Sequence, residues 1–271
     1  MINSQRRASM KVLALGDIIG SIGCKFLRTQ LPSLKQEKNI DLVIANGENS
    51  ADGNGITPAS AEHLFTSGID VITTGNHAFR RKECYELYDS EDYLLRPANY
   101  PNGAPGKGIC IVDKGRFQAA VINLMGVVYL EHLNCPFSIM DQLLQKTSLP
   151  KIILVDFHAE ATGEKGGFAY EYDGAVSAIF GTHTHIQTAD EQILPLGTGF
   201  ITDLGMTGPS RSVLGVKPEL IIKKLRTKMP VRFDLSSGLC HLNGVVFEID
   251  EKTGKTVSIE RIQIKQTNLD T

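Results

Sequence analysis

Residues 41–77 of the chain read DLVIANGENSADGNGITPASAEHLFTSGIDVITTGNH. The stretch opens on an apolar run, Asp41–Asn46, and closes on a second one, Asp70–Thr74, each of the length of a buried strand. Between the runs, Thr57 can cap a helix and Pro58 suits its first position. A strand, a helix and a strand in this order predict a βαβ unit in a largely parallel sheet.

The same alternation continues on both sides of this unit. Lys11–Gly16 predicts a strand and Ile22–Leu34 predicts a helix. The helix that begins at Pro58 should end at Gly68, and Lys82–Tyr88 predicts a further, charged helix. The elements predicted farther along are a loop at residues 96–108, a hairpin of Ile109–Asp113 and Phe117–Asn123, a helix at Ser138–Thr147, and strands at Lys151–Phe157, Ala175–Phe180, Val231–Leu235, His241–Ile249 and Thr256–Lys265.

The three C-terminal runs favour a second, antiparallel sheet. Two sheets with helices packed outside them predict an α/β fold, a two-sheet sandwich with the layers α/β/β/α. No repeat, low-complexity tract or linker interrupts the sequence. Residues 1–271 are therefore predicted to form one domain, in which residues 1–9 are a flexible extension.

The composition disfavours several classes of protein. Of the 271 residues, 28 are basic and 30 acidic, and the net charge of −2 gives no reason to expect a stable nucleic-acid partner or binding to an anionic membrane. No apolar run approaches the roughly 20 residues that span a bilayer, and the polar start lacks a signal-peptide segment. The five cysteines are scattered without a CxxC pair, which favours reduced thiols in a cytoplasmic protein.

Metal-binding residue types follow the predicted strands. Each signal is weak alone: Asp17 between glycines is typical of a turn, Glu48 of a loop, and His158 of a hydrogen-bonded core residue. His183 and His185 are a stronger pair, since residues two apart in an extended segment point to the same side. The residues at the strand ends are Asp17, Glu48, Asn49, Asn76, His77, His158, His183 and His185.

These residues share one position, the carboxyl ends of predicted strands, and taken together they indicate a common site. In open α/β sheets, ligands bind in the crevice outside the carboxyl ends of the strands, so five such ends predict one polynuclear metal site. Imidazole with carboxylate suits iron, manganese or zinc and not magnesium alone, and a ligand set without cysteine argues against a structural zinc site. Two ions about 3.5–4 Å apart are the usual device for hydrolysing phosphate esters.

Six sequence motifs carry a family resemblance. They are Asn46-Gly-Glu-Asn, Thr74-Gly-Asn-His, Asn123-Leu-Met-Gly, Asp156-Phe-His-Ala-Glu, Gly181-Thr-His-Thr-His-Ile-Gln-Thr-Ala-Asp and Thr202-Asp-Leu-Gly-Met-Thr-Gly-Pro. In this order they resemble the calcineurin-like metallophosphoesterase superfamily and, more closely, its bacterial YmdB-like branch of cyclic-nucleotide phosphodiesterases. The resemblance extends from about Lys11 to the C-terminal strands.

The resemblance implies a role for each candidate residue. One metal ion would be held by Asp17, Glu48, Asn49 and His185, and the other by Glu48, Asn76, His158 and His183, so that Glu48 bridges them. His77 would not bind metal but would face the scissile phosphate as the acid. The implied enzyme is a dinuclear phosphodiesterase with two iron or manganese ions. It would open 2′,3′-cyclic nucleotides at the 2′ oxygen by attack of a hydroxide that bridges the ions.

The sequence departs from that branch at a few positions. Ile19 stands where the wider superfamily often has a histidine ligand, and Asn49 would replace that ligand. Ala78-Phe79-Arg80 stands where the branch often has an aromatic residue followed by aspartate. Cys24 and Val127 both stand where arginine is common. These departures leave the metal ligands intact and affect the expected substrate pocket and subunit contacts.

Two further residues are candidates for substrate binding. Arg211 follows Gly205-Met-Thr-Gly-Pro, which could form an anion-binding loop or only a tight connection. The segment Glu160-Ala-Thr-Gly-Glu-Lys165 lies just beyond His158 and could line the site, although a Lys165 that faces solvent is the favoured alternative. The expected partner is a small phosphodiester. The rival functions are a phosphomonoesterase or nuclease on the same site and a non-catalytic metal-dependent sensor, and a homo-oligomer is left open.

Overall fold

The structure is a computed structural model that describes residues 9–145 and 148–268. Its strands are β1 Ser9–Leu15, β2 Asp17–Ile18, β3 Leu42–Asn46, β4 Val71–Thr73, β5 Ile109–Asp113, β6 Gln118–Met125, β7 Ile152–His158, β8 Ala178–Thr182, β9 Gln192–Ile193, β10 Gly199–Ile201, β11 Met206–Pro209, β12 Cys240–Asp250 and β13 Thr256–Lys265. Its helices are α1 Gly20–Lys38, α2 Pro58–Thr66, α3 Tyr85–Ser90, α4 Pro136–Leu144, α5 Thr162–Glu171 and α6 Pro218–Thr227, and a 3₁₀ turn, Lys82–Cys84, precedes α3.

The strands form two sheets. The first has the order β2-β11-β12-β1-β3-β4, with β13 also paired to β12, and the second has the order β5-β6-β7-β8-β10-β9. Strands β1, β3 and β4 run parallel to one another, as do β6, β7, β8 and β10. Parallel neighbours bring their carboxyl ends to one edge of a sheet, which is where the predicted ligands stand.

Three apolar cores separate four layers. Val12 of β1 and Phe180 of β8 belong to a middle core between the sheets. Leu13, the next residue of β1, points the other way and packs with Leu27 of α1. Phe168 of α5 belongs to a third core, on the outer face of the second sheet. Strands that are buried on both faces are apolar throughout, and the layers α/β/β/α confirm the predicted sandwich.

The expected separate C-terminal sheet is wrong. Strand β12 pairs antiparallel with β1, with Val246 opposite Leu13, and β13 pairs with β12, so both strands extend the first sheet. Val245 faces the middle core while Val246 faces the helices, which is typical of an interior strand. The predicted strand Val231–Leu235 is also wrong, because of these residues only Leu235 forms a bridge, an isolated one to Val216.

The local predictions around the first βαβ unit are confirmed. The Thr57 side chain accepts a hydrogen bond from the Ser60 backbone N–H and caps α2, and Gly68 with φ of 104° follows its end. The predicted flexible extension, residues 1–9, is one residue too long, since Ser9 already belongs to β1. Residues 1–8 lie outside the described residues. Thr147, the expected end of the fourth helix, also lies outside them.

Helices α5 and α6 have no counterpart among the predicted elements. Three glycines within α5 lower its helix propensity, but Phe168 anchors the helix in the third core. None of the helices in the described part of the chain is long and apolar enough to cross a membrane.

Candidate metal centre

The ends of strands from both sheets meet at one place. Glycine makes the approach possible at two points: a Cβ on Gly16 would lie 1.9 Å from the carbonyl oxygen of Gly205, and one on Gly75 would lie 2.0 Å from Cδ2 of His158. The Gly-Asn-His motif after β4 therefore packs directly against the last residue of β7. All eight predicted residues, the seven predicted ligands and His77, come together here, as the contacts below show.

The first group of ligands surrounds Asp17. Its carboxylate is buried, and its Oδ1 atom lies 3.3 Å from Nε2 of His185. The Asn49 amide nitrogen lies 3.4 Å from each of these two atoms. The amide group of Asn49 would therefore have to flip to present its oxygen to an ion. The other oxygen of Asp17 accepts a hydrogen bond of 3.1 Å from the backbone N–H of His183.

The second group converges on His158. Its Nε2 atom lies 3.1 Å from Oε1 of Glu48, 2.9 Å from Oδ1 of Asn76 and 3.1 Å from Nδ1 of His183. Ligand atoms of Glu48, His158 and His183 all lie within 4.8 Å of one another, a grouping that stands out among the described residues as able to hold a metal ion. The four side chains match the second ligand set that the family resemblance implied.

A relay of hydrogen bonds sets the protonation of His158. Its Nδ1 atom lies 2.9 Å from the Thr182 hydroxyl, which donates to Asp156 at 2.7 Å, while Thr73 donates to the other oxygen of Asp156. A hydroxyl that gives its proton to Asp156 must accept one from Nδ1–H. In the neutral ring this leaves Nε2 without a hydrogen, and it faces the oxygens of Glu48 and Asn76.

That arrangement fits a cation. The converging acceptor atoms repel one another unless a positive charge lies between them, either a proton on Nε2 of His158 or a metal ion that replaces it, and buried Oε1 of Glu48 has no further hydrogen-bond partner in the described structure. Carboxylate, amide and imidazole ligands together suit a borderline divalent metal. The residues present therefore fit a metal ion at the second group, and Asp17 with His185 offers a second position beside it.

The electrostatics of the pocket agree with this fit. Burial raises the pKa of Glu48 and of Asp17, but the neighbouring histidines, led by His158 and His185, hold both pKa values below their usual range. Burial lowers the pKa of His158, but Glu48 and Asp17 raise it to about 9. Two buried carboxylates thus draw positive charge into the pocket.

His77 stands apart from both groups. Its Nδ1 atom lies 2.9 Å from the Asn49 amide oxygen and 3.7 Å from Oε1 of Glu48, and its backbone N–H donates to Oε2 of Glu48 at 2.9 Å. The ring is partly exposed, and burial lowers its pKa. Contact through Nδ1 fixes the ring and leaves Nε2 available for proton exchange, which suits an acid at the rim of the site.

The expected extended conformation of the His183–His185 segment is wrong. Strand β8 ends at Thr182, and His183 and His185 have φ values of 99° and 65°, in the left-handed region. The turn sends Nδ1 of His183 to the second group and Nε2 of His185 to the first. Strained backbone of this kind persists only where surrounding contacts hold it.

Lys165 supplies one of those contacts, and both interpretations of it from the sequence are wrong. The side chain is 1% exposed, so it neither faces solvent nor presents its amine to a substrate. Its Nζ atom lies 2.7 Å from Asp203 and donates to the Thr182 carbonyl at 2.9 Å, while Asp203 also accepts from the Thr184 backbone N–H. The buried pair holds the turn that carries the two histidines.

The remaining candidates lie outside the two groups. Arg211 is exposed on the connection after β11, and its role in substrate binding stays a prediction. Glu160, at the start of the segment expected to line the site, was given no role of its own, and its Oε2 atom lies 3.1 Å from Nε2 of His183. Asp156 and Asp203 were also missed, because only the folded chain brings them to the histidines.

The departures from the family pattern are accommodated by packing. Ile19 is buried and packs against Gly208 and Gly215, in the place of a histidine. The Cys24 thiol lies 3.7 Å from the Ser50 carbonyl, and burial raises its pKa to about 12. The Val127 backbone N–H donates to Glu164 at 2.9 Å. Arg80 is exposed, and its charge contributes to the lowered pKa of His77.

Replacing Thr182 with valine should weaken metal binding at the second group. The change removes the hydroxyl that orients His158, and the loss of such a supporting hydrogen bond costs about 10–100-fold in metal affinity. Titration against a coloured chelator measures the metal affinity of each variant. Thr198→Val is the matched control. Thr198, just before β10, is equally buried, but its hydroxyl donates to the Val176 carbonyl and contacts none of the predicted ligands. Equal affinities in the two variants would contradict the relay.

Comparison with known proteins agrees with the geometry. The chain matches the family described as YmdB-like proteins over residues 13–262. It is 45% identical over 261 residues to the 2′,3′-cyclic-nucleotide 2′-phosphodiesterase of Bacillus subtilis, which covers 96% of this chain and 99% of that protein. The crystal structure of a novel phosphatase from Mycoplasma pneumoniae is 35% identical with a TM-score of 0.90, covering 95% of this chain and 94% of that one.

A more distant likeness concerns the fold alone. The NAD nucleotidase of Haemophilus influenzae is 15% identical with a TM-score of 0.57, covering 95% of this chain and 56% of that one. The two-sheet architecture is thus shared with larger nucleotidases. Because the family match and the 45% identical relative both extend over nearly the whole chain, the protein belongs to the YmdB-like family of metallophosphoesterases.

Proposed function

We propose that the chain is a dinuclear metal-dependent phosphodiesterase that opens 2′,3′-cyclic nucleotides at the 2′ oxygen. The observation that carries the proposal is the convergence of the two ligand groups with His77 at their rim. The name of the 45% identical relative supports the choice of substrate. More broadly, as a member of this family the chain is a hydrolase that acts on phosphoric esters.

The two groups divide the proposed metal ions between them. Asp17, Glu48, Asn49 and His185 would hold one ion, and Glu48, Asn76, His158 and His183 the other. When bound, two such ions neutralise phosphate charge and lower the pKa of a water towards neutrality. The imidazole and carboxylate ligands favour iron or manganese.

The chain's own residues prepare the site for this chemistry. Asp17 and Glu48 stay ionised at neutral pH, because the surrounding histidines hold their pKa values low. Their two negative charges are what a pair of cations needs. With the Asn49 oxygen turned to the ion, its NH₂ group would donate to Nδ1 of His77, and the proton of that ring would lie on Nε2, from which it can pass to the leaving oxygen. A pKa lowered by burial favours that release.

The substrate follows from charge and strain. A 2′,3′-cyclic phosphate carries a single negative charge in a strained ring, and fixed positive charge meets the charge that develops on its oxygens. For opening at the 2′ oxygen, His77 must lie beside that oxygen and opposite the attacking water. We identify no dedicated base-reading residue, so several 2′,3′-cyclic nucleotides should be hydrolysed with modest discrimination and 3′,5′-cyclic ones more slowly.

Chromatography of the products tests this proposal. With both ions bound, 2′,3′-cyclic nucleotides should yield the 3′-monophosphate. A 2′-monophosphate product, or faster hydrolysis of 3′,5′-cyclic nucleotides, would contradict the orientation of the substrate. Turnover of monoesters alone would favour a phosphomonoesterase, and no turnover of any ester would favour a metal-dependent sensor.

The proposed cytoplasmic location is supported by five free cysteines, four of them buried.

A further inference from the structure

The imidazole ring of His183 has a polar contact at each of its two nitrogens. Nδ1 lies 3.1 Å from Nε2 of His158, inside the second group, and Nε2 lies 3.1 Å from Oε2 of Glu160, outside it. Within residues 9–145 and 148–268, that Nε2 atom has no other hydrogen-bond or ion-pair partner. The side chains of His183 and Glu160 are 19% and 50% exposed. A half-exposed carboxylate therefore contacts a largely buried ring on the side away from His158.

Two other ligands of the second group are held by buried contacts. The His158 ring lies against the Thr182 hydroxyl at 2.9 Å, and Glu48 accepts from the backbone N–H of His77 at 2.9 Å. His183 differs, because its φ of 99° places it in a left-handed conformation that is rare for a residue with a side chain. Such a conformation depends on surrounding contacts, and the carboxylate of residue 160 supplies one to the ring itself.

The position of one proton decides whether His183 can bind an ion. A neutral imidazole carries its proton on one nitrogen and a lone pair on the other. A proton on Nδ1 would block metal binding there and would leave the lone pair of Nε2 facing the carboxylate of Glu160, which is unfavourable. A proton on Nε2 faces that carboxylate and leaves the lone pair of Nδ1 directed into the second group. The contact with Glu160 therefore favours the form that binds metal.

The corresponding contact in the first group involves a neutral acceptor. Nδ1 of His185 lies 3.2 Å from the backbone carbonyl oxygen of Leu214. A carboxylate forms a stronger hydrogen bond with an imidazole N–H than a carbonyl does, and it makes the opposite nitrogen a better ligand. The effect of Glu160 should therefore be confined to His183 and to the second metal position.

We propose that Glu160 is a positioning residue for the metal ion at the second group. Its carboxylate accepts the Nε2–H of His183, orients the ring and keeps Nδ1 free to bind the ion. Glu160 acts through His183 and needs no contact with the ion. The inference rests on the second metal position of the proposed function, but it does not depend on the substrate or on the reaction.

Metal affinity gives the first test. In competition with a coloured chelator for Zn²⁺, which this ligand set accepts, Glu160→Ala should weaken one of the two binding steps about 10–100-fold and leave the other unchanged. Glu160→Gln keeps an oxygen acceptor without the charge, so it should recover part of the lost affinity. Glu171→Ala is the matched control, because it removes an exposed glutamate at the opposite end of α5 and should bind both ions like the wild type.

A double variant shows whether Glu160 acts through His183. His183→Ala removes the ring, so adding Glu160→Ala to it should cause no further loss of affinity. Nuclear magnetic resonance of the Zn²⁺-loaded protein gives an independent signature in the Nε2–H proton of His183. This proton should resonate far downfield in the wild type and move upfield in Glu160→Ala, because its charged acceptor is lost. Circular dichroism checks that each variant is folded.

Three results would overturn the proposal. They are wild-type affinity for both ions in Glu160→Ala, additive losses in the double variant, and an Nε2–H resonance that does not move. Failure of the proposed function has a different signature. If the affinities change as expected but the wild-type protein hydrolyses no cyclic nucleotide, the role of Glu160 is supported and the proposed reaction is wrong.

Discussion

Replacing Glu48 with glutamine should remove metal from both positions and abolish turnover. The residue is buried, its Oε1 atom lies 3.1 Å from Nε2 of His158, and its Oε2 atom accepts from the His77 backbone N–H. A neutral amide withdraws one of the two buried negative charges that offset the cations. Breaking a buried charge pair costs about 3–5 kcal/mol, or roughly 10²–10⁴-fold in affinity for each ion.

Elemental analysis after gel filtration measures this effect. The wild-type protein should retain two ions per chain, and Glu48→Gln should retain well below one. Glu251→Gln is the matched control: it makes the same change at a largely buried glutamate whose Oε1 lies 3.2 Å from Nε of Arg116 and which contacts neither ligand group, so it should keep both ions. If Glu48→Gln keeps two ions and the wild-type turnover, the bridging role of Glu48 is wrong.

Replacing His77 with alanine should have the opposite signature, with both ions kept and turnover lost. The imidazole contacts Asn49 and lies at the rim, outside the atoms that converge on His158. Loss of a general acid lowers the rate roughly 10²–10⁴-fold, equivalent to about 3–5 kcal/mol of activation free energy. Metal content and the rate constant for cyclic-nucleotide opening, measured on the same preparation, separate chemistry from binding.

His158→Ala is the comparison for this variant. It removes the side chain on which the second group converges, so metal and activity should disappear together. A His77→Ala protein that loses metal while His158→Ala keeps it would invert the two roles. A His77→Ala protein with full activity would assign proton transfer to another group, and Glu160 would then be the next residue to test.

The βαβ framework and the position of the site could be predicted from local patterns. Apolar runs such as Asp41–Asn46 report burial on both faces, and the Thr57-Pro58 pair starts a helix through its own hydrogen bond and fixed backbone. Each ligand stands at a strand end, and parallel strands must bring those ends to a common edge. These features depend on neighbours in the sequence, so the sequence alone contains the information.

Partners that are distant along the chain depended on tertiary packing. Periodicity shows that His241–Ile249 is a strand but not that it lies beside β1, because several edges could accept it equally well. Lys165 became interior because Asp203, 38 residues away, compensates its charge. The turn at His183 and His185 forms where Asp17 and Asp203 accept hydrogen bonds from the successive backbone N–H groups of residues 183 and 184. No local propensity specifies these contacts. Local sequence determined which residues are buried and which stand at strand ends, and the packed layers determined which of them meet.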